Sequence, residues 1–157
     1  NGRLMMIDPG DFTPEALAKI APACHECGGP SEIAQAEAIY PNRPDLWQRQ
    51  DGTKPWYWLC RKCWAYVGVH PRTLQPLGSP AGPDTRAARS AAHAAFDPLW
   101  RRRMQISNLT QNVARGRGYK WLAAQLGIDC KNCHIGMMDV ATARRVVQIC
   151  KAVGKAA

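Results

Sequence analysis

The strongest structural signal in the sequence is Cys24-His25-Glu26-Cys27-Gly28-Gly29, together with Cys60-Arg61-Lys62-Cys63. Each stretch holds two cysteines separated by two residues, and 32 residues lie between the two pairs. Cysteine pairs at this spacing form the two turns of a zinc ribbon, whose four sulfurs converge on one tetrahedral ion. The sequence therefore predicts one structural Zn²⁺ ion bound by Cys24, Cys27, Cys60 and Cys63.

Four protein ligands leave such an ion no open position, so it would stabilise the fold rather than act as a Lewis acid. Burial of the four cysteines as small hydrophobic side chains is the alternative, and two matched pairs beside strand patterns argue against it. His25 could replace one cysteine as a ligand, but its adjacency to Cys24 would strain the turn. The total of seven cysteines is odd, which disfavours a closed disulfide framework.

A third C-x2-C pair, Cys130 and Cys133, is followed directly by His134. A second zinc ion there would need further ligands, such as Cys150 or a distant histidine, and no partner pair stands at ribbon spacing. A thioredoxin-like redox pair would need a strand before it and a helix after it, and both are missing from the pattern. Ordinary packing is therefore favoured, with Cys150 on the apolar side of the last helix.

The residue pattern of the N-terminal part of the chain predicts mainly β-strands. Residues 1–6, NGRLMM, are interpreted as a remnant ahead of a native start at Met5 or Met6. Thr13 and Pro14 are typical of the start of a short helix, which would continue until Pro22. Residues 31–40, 56–59 and 64–69 then alternate or cluster as strands do. We expect residues 7–70 to form a zinc-ribbon module with a short leading helix.

The residue pattern of the C-terminal part predicts helices. Residues 71–83 hold four prolines and two glycines and are predicted to form a connection that covers the module. In the basic region 84–157, a first helix is predicted at 84–96. A second segment restarts at Asp97-Pro98 and runs through Met104, and two further helices are predicted at 118–126 and 139–152. The expected fold class is α+β, with the zinc-ribbon-like β module packed against a bundle of three to four helices in one compact unit.

The formal net charge of +9 is unevenly distributed. Residues 1–60 carry five basic and eight acidic residues, whereas residues 61–157 carry 16 and four. Such a basic half predicts a polyanionic or acidic partner, most commonly nucleic acid, and the alternative is a solvated surface. Arginine suits phosphate because its planar donors bind in a fork. The predicted phosphate contacts are Arg86, Arg89, Arg101, Arg102, Arg103, Arg115, Arg117 and Lys120.

Two further patterns bear on nucleic-acid binding. Aromatic residues of the β module could stack on single-stranded bases, or they could form a hydrophobic wall around the metal: Trp56, Tyr57, Trp58, Trp64 and Tyr66. Residues 121–128, WLAAQLGI, are similar to the first helix and turn of a helix-turn-helix unit. The next good helix cap is Asp139, which comes too late for the second helix unless residues 130–137 are helical.

Several segments together resemble a family of small, uncharacterised zinc-finger-containing proteins common in bacteriophage and prophage genomes. The resemblance is carried by residues 24–29, 60–70 (CRKCWAYVGVH), 76–78, 92–100 and 121–139. It implies a zinc-finger fold and a phage or prophage origin, and it implies no activity or catalytic residue. Because no apolar run of roughly 18 to 20 residues is present, we expect no membrane span and a place in the cytoplasm of a bacterial host.

The leading functional hypothesis is a non-enzymatic zinc-finger protein that binds nucleic acid, DNA or RNA, through its basic helices. The alternative is a phage-encoded protein-interaction module or inhibitor that docks on an acidic surface of a host complex. An enzyme is the third hypothesis, but neither paired carboxylates nor an H-x-E pattern supports it. His93 and Asp97, four residues apart on a helix, are better explained as a hydrogen-bonded structural pair.

Overall fold

The computed structural model describes residues 8–70 and 72–156. Residues 1–6, interpreted above as a remnant, lie outside the described residues. The chain is α+β and divides into two compact units, an N-terminal unit that ends at Gly82 and a helical unit that begins at Pro83. Within the described part of the chain, no helix has the length and apolar character needed to span a bilayer.

The N-terminal unit is built on a three-stranded antiparallel sheet in the order β1-β2-β3. Its strands are β1 (Glu32–Gln35), β2 (Trp56–Leu59) and β3 (Tyr66–Gly68). Helix α1 (Pro14–Ile20) precedes the sheet, and the one-turn helix α2 (Ala36–Ile39) follows β1 directly. In the central strand, Trp58 pairs with Ile33 of β1 and with Val67 of β3. The sheet therefore connects the two cysteine-containing segments, one before β1 and one after β2.

The predicted start of α1 is confirmed, because the Thr13 hydroxyl accepts a hydrogen bond from the Ala16 amide at 3.1 Å. The strand predicted over residues 31–40 was too long. Its second half, Ala36–Ile39, is helix α2, which fits the high helix propensity of the alanines in that segment. The strand predicted over residues 64–69 begins only at Tyr66, because the two residues before it belong to the second cysteine turn.

The proline-rich stretch after β3 folds back onto the N-terminal unit. Val69 pairs with Pro76, and Tyr66 pairs with Ala81, so this stretch extends the sheet beyond its edge strand. Proline is tolerated there because an edge position does not need its missing amide hydrogen. The indole of Trp58 donates to the carbonyl oxygen of Leu74 at 2.8 Å. Both side chains are buried, so the returning stretch completes the core under the sheet.

The helical unit contains α3 (Pro83–Ile106), α4 (Gln111–Leu126) and α5 (Val140–Ala156). Apolar residues recur at helical spacing, as in Ala92, Phe96 and Trp100 of α3, which face one side. They pack against buried side chains of α4, α5 and the turn before α5. The core members that are completely buried are Ala92, Phe96, Leu122, Ile135, Ala143 and Val146.

The predicted restart at Asp97-Pro98 was wrong, because α3 is one continuous helix with Pro98 inside it. An internal proline removes one helix hydrogen bond and costs about 3 kcal/mol. Phe96 and Trp100 lie on either side of Pro98 and are both buried in the core. Packing of these two rings holds the helix together across the proline.

The boundaries of α4 and α5 match the predicted caps in part. Helix α4 begins at Gln111, seven residues earlier than predicted, because Thr110 supplies the N-cap. It ends at Gly127, which has a φ of 69°, as predicted. The carboxylate of Asp139 accepts from the Thr142 amide at 2.8 Å and caps α5, again as predicted. Only two 3-10 turns, Cys130–Asn132 and Ile135–Met137, are described between α4 and α5, so no second helix follows at helix-turn-helix spacing.

Two glycines of α4 provide a matched test of helix packing. A Cβ at Gly118 would lie 3.1 Å from Phe96 Cζ and 3.1 Å from Trp100 Cβ, whereas a Cβ at Gly116 would meet nothing within 4 Å. Both positions gain the same helix propensity from alanine. We expect Gly116→Ala to raise the free energy of unfolding by about 1 kcal/mol. Gly118→Ala should be less stable than Gly116→Ala by about 1 to 3 kcal/mol because of overpacking.

Urea denaturation followed by helical circular dichroism measures both variants. Equal stabilities for the two alanine variants would contradict the close approach of α3 and α4 at Gly118.

Candidate metal centre

Two turns with the same hydrogen-bond pattern carry the four cysteines. In the first turn, the Cys24 carbonyl accepts from Gly28 N–H at 2.8 Å, and Cys24 N–H donates to Gly29 at 2.9 Å. In the second turn, the Cys60 carbonyl accepts from Trp64 N–H at 2.7 Å, and Cys60 N–H donates to Ala65 at 2.8 Å. The C-x2-C spacing thus folds locally into one backbone motif used twice.

The motif needs a left-handed residue directly after its second cysteine. Gly28 occupies that position in the first turn with a φ of 70°, and Trp64 occupies it in the second with a φ of 61°. Glycine adopts this conformation without cost, whereas a residue with a Cβ is strained there by about 1 to 2 kcal/mol. The Trp64 side chain is 56% exposed, and the Arg61 guanidinium lies 5.6 Å from the centre of its ring.

The two turns bring the four sulfurs together. Sγ of Cys24 lies 3.4 Å from Sγ of Cys63, and Sγ of Cys27 lies 3.6 Å from Sγ of Cys60 and 3.9 Å from Sγ of Cys63. All four sulfurs lie within 4.8 Å of one another. A regular tetrahedron with zinc–sulfur bonds of about 2.3 Å has sulfur–sulfur edges of about 3.8 Å. The four predicted ligands therefore fit a tetrahedral, zinc-type ion.

Backbone amides around the cluster favour negative charge on sulfur. The Gly29 amide donates to Cys27 Sγ at 3.4 Å. The Cys63 amide donates to the Cys60 sulfur, which lowers the pKa of that thiol to about 7. The Ala65 amide lowers the pKa of Cys63 in the same way, but the three neighbouring sulfurs and burial together outweigh it, and the pKa of Cys63 is raised to about 12. Sulfurs this close repel one another as thiolates, and a divalent cation between them removes that penalty.

The cluster is half enclosed by the N-terminal unit. Cys24 and Cys60 are buried against Ala65, whereas Cys27 and Cys63 are exposed. The returning stretch after β3 fixes the first turn, because His25 N–H donates to Pro80 O at 2.9 Å. The carboxylate of Glu26 accepts from the Gly82 amide at 2.9 Å. Within the described residues, His25 is not part of the ligand group.

The second cysteine group does not gather into a metal site in the described part of the chain. Cys133 and Cys150 are buried members of the helical core, whereas Cys130 and His134 are exposed. Burial raises the pKa of Cys133, and it raises the pKa of Cys150 to about 11, so both thiols stay protonated at neutral pH. No group of three or more ligands that includes these residues lies within residues 8–70 and 72–156. The structure favours the packing interpretation.

The structure distributes the eight predicted phosphate contacts unevenly. Arg89 is only 6% exposed, and its Nε donates to the Met138 carbonyl at 2.8 Å. It connects α3 to the segment before α5, and its burial removes it from the surface that could meet phosphates. Arg86 is half-buried. The other six are exposed on α3 and α4: Arg101, Arg102, Arg103, Arg115, Arg117 and Lys120.

Four more basic side chains of the helical unit are exposed and were not singled out from the sequence. Arg144, Arg145 and Lys151 lie on α5, and Lys131 lies in the turn before it. The amphipathic pattern of α5 contained the signal, because its apolar positions, Ala143, Val146 and Cys150, leave the remaining positions to solvent.

The proposed stacking aromatics of the N-terminal unit differ in exposure. Trp58 is 2% exposed and belongs to the core. Tyr57 and Tyr66 pack edge to face with each other at 5.8 Å and with Tyr40, whose hydroxyl lies 2.6 Å from that of Tyr66. Among the five aromatic residues considered, Trp64 is the one with an exposed side chain.

His93 and Asp97 contact each other as the sequence suggested. His93 Nδ1 lies 3.4 Å from Asp97 Oδ2, and the other Asp97 oxygen accepts from the Trp100 indole at 3.0 Å. Asp97 lies inside α3 rather than at a helix start, so it is not the cap that the sequence pattern indicated. The carboxylate fixes two neighbouring side chains of its own helix.

Comparison with known families agrees with the geometry of the four cysteines. A model of a zinc-finger-containing domain matches residues 20–153, which include both cysteine turns, α3, α4 and most of α5. The chain belongs to this zinc-finger-containing family. The resemblance to a zinc-finger-containing family is thereby confirmed, and the phage or prophage origin stays a prediction. No curated protein and no solved structure matches the chain.

The left-handed position of each cysteine turn can be tested by exchanging residue types. A Cβ at Gly28 would meet nothing within 4 Å, so Gly28→Ala tests backbone strain alone. We expect it to lower the free energy of unfolding by about 1 kcal/mol. At position 64, Trp64→Gly should be more stable than Trp64→Ala by about 1 kcal/mol, because only glycine relieves the strain.

Urea denaturation in excess zinc gives these differences. A more stable alanine variant at position 64 would contradict a left-handed backbone there.

Removal of one metal ligand provides the second test. We expect Cys63→Ser to lose its zinc and the structure of the N-terminal unit, because structural zinc contributes about 10 to 16 kcal/mol to such modules. Atomic emission measures the zinc content, and the fluorescence of the buried Trp58 region reports folding. Cys130→Ser, an exposed cysteine of the helical unit, is the control and should keep its zinc. Zinc loss in the control alone would move the site to the other cysteine group.

Proposed function

We propose that the chain is a non-enzymatic zinc-finger protein that binds nucleic acid through the basic surface of its helical unit. In this proposal one zinc ion stabilises the N-terminal unit, and exposed arginines and lysines of α3, α4 and α5 contact phosphates. Such contacts would form with DNA and with RNA, because phosphate binding alone carries no base specificity.

The separation of charge between the two units is the observation that carries the proposal. Residues 1–82 hold eight basic and eight acidic residues and are therefore neutral in formal charge. Residues 83–157 hold 13 basic and four acidic residues, so the whole formal charge of +9 belongs to the helical unit. A solvated surface needs no such segregation, whereas a polyanion-binding unit gains affinity from it.

Two of the exposed arginines lie against aromatic rings. The Arg101 guanidinium is 5.3 Å from the Trp100 ring, and the Arg115 guanidinium is 5.3 Å from the Tyr119 ring. A guanidinium stacked on a ring keeps its planar edge of donors available for phosphate while its rotamers are restricted. Such preorganisation lowers the entropy cost of a phosphate contact.

The zinc ion has a supporting role in this proposal. Bound by Cys24, Cys27, Cys60 and Cys63, it would cross-link the two cysteine turns, and four thiolate ligands would fill its tetrahedral coordination. Asp97 is held by His93 and Trp100, which favours a structural over a catalytic role for that pair. We also propose a phage or prophage origin and a place in the bacterial cytoplasm, for which the family resemblance is the support.

Salt dependence of oligonucleotide binding tests the proposal. We expect labelled duplex or single-stranded oligonucleotides to bind with an affinity that falls steeply with salt, because each phosphate contact adds about 0.7 to 0.9 to the slope of log affinity against log salt. The triple variant Arg101→Glu, Arg115→Glu and Lys120→Glu should flatten that slope by about two units and weaken binding at least about tenfold. Fluorescence anisotropy at several salt concentrations measures both quantities.

Lys19→Glu, a single charge reversal on α1 of the N-terminal unit, is the control for location and should change neither value. Absence of oligonucleotide binding by the parent protein at low salt would overturn the proposed function. Unchanged binding by the triple variant would overturn the proposed surface.

A further inference from the structure

A groove in the helical unit lies between the C-terminal ends of α3 and α5 and the middle of α4. Its volume is about 700 Å³, within the range of pockets that enclose ligands. Phe96, Trp100 and Gly118 line its inner part. Since Gly118 has no side chain, α3 and α4 approach closely there.

The outer walls of the groove are apolar and mainly aliphatic. Ile106 is 69% exposed and Val153 is 40% exposed, although both are large hydrophobic residues. Leu99 and Trp121 line the same groove and are partly buried. Exposed apolar side chains that are scattered need no explanation, but a concave group of them marks a binding surface.

The charged residues that line the groove are all positive. Among the described residues they are Arg102, Arg103 and Arg117, and no described aspartate or glutamate lines the groove with them. All three side chains are exposed. Within residues 8–70 and 72–156, no carboxylate lies at salt-bridge distance from any of the three. An occupant of this groove therefore needs both aliphatic groups and negative charge.

Two other occupants fit this combination less well. Nucleic acid would satisfy the arginines, but exposed bases stack on aromatic faces, and the most exposed apolar side chains of the groove are Ile106 and Val153. A second helical unit would bring the same excess of positive charge to a positive rim and would be repelled. An acidic amphipathic helix matches both requirements, since such helices place aliphatic residues on one face and carboxylates beside it.

We infer that this groove binds an acidic amphipathic segment of another protein, whose aliphatic side chains enter between α3, α4 and α5 while its carboxylates pair with Arg102, Arg103 and Arg117. The inference does not depend on nucleic-acid binding, because it rests on the apolar lining rather than on the overall charge. It gives the exposed Ile106 a role that phosphate binding does not require.

A panel of fluorescein-labelled helical peptides tests the inference on the full chain with its zinc. Each peptide carries leucines spaced three and four residues apart, with glutamates on the flanking positions. In one control panel the leucines are replaced by serine, and in another the glutamates are replaced by glutamine. We expect saturable binding of the acidic leucine peptides, weakened at least about tenfold by either replacement.

The protein variants separate the groove from the rest of the basic surface. Ile106→Gln should weaken peptide binding about tenfold and leave oligonucleotide affinity within about twofold, because a buried aliphatic contact is lost and no charge is changed. Arg103→Glu should also weaken peptide binding, and the remaining peptide affinity should depend less on salt concentration. Val113→Gln changes a residue of similar type that is 42% exposed and does not line the groove, and it should leave peptide binding unchanged.

Four results would overturn the inference. The first is no binding by any acidic leucine peptide. The second is equal binding by the serine peptides, because charge by itself would then explain the binding. The third is an equal loss of peptide and oligonucleotide binding in Ile106→Gln, which would assign the groove to the nucleic-acid surface. Binding to phosphatidylserine vesicles that Ile106→Gln abolishes, without peptide binding, would assign it to a lipid surface and overturn the inference as well.

Discussion

The N-terminal unit depends on the convergence of four cysteine sulfurs. Its strands are only three or four residues long, and the large apolar side chains that it buries most completely are Trp58, Leu59 and Leu74. A core of that size cannot offset the conformational entropy of so many loop residues. A zinc-type ion bound by both turns would join the segment before β1 to the segment after β2 and so stabilise the pairing of these two strands.

The metal site was predictable because its determinants are local. Each turn needs only two cysteines at the right spacing and a residue that tolerates a left-handed backbone. In the first turn that residue is Gly28, and glycine is recognisable in the sequence as a residue of this kind. Trp64 in the matching position could not be recognised, since tryptophan carries no signal for that conformation. The hydrogen bonds from Cys60 to Trp64 and Ala65 hold Trp64 in the left-handed conformation, and this turn places the sulfurs of Cys60 and Cys63 in the cluster.

The errors in the sequence interpretation have a common physical origin in tertiary packing. Pro98 reads as a helix break, yet burial of Phe96 and Trp100 on either side keeps α3 continuous. Arg89 reads as part of a cationic stripe, yet its guanidinium enters the core and binds the Met138 carbonyl. Residue type and spacing identify the face of a helix, but the partner of that face is decided by segments about 50 residues away, such as the turn before α5.

The net formal charge of the chain lies in the helical unit. The N-terminal unit is neutral without metal, and binding of zinc by four thiolates adds two negative charges to it, so it has little electrostatic attraction for a polyanion. The helical unit combines a broad cationic surface with one apolar groove, and Arg102, Arg103 and Arg117 belong to both. A phosphate backbone and an acidic peptide would use the same guanidinium groups, so two such ligands would compete, and each would weaken the other by the same factor. Only the peptide would need Ile106, which makes the aliphatic lining, rather than the charge, the feature that separates the two modes of binding.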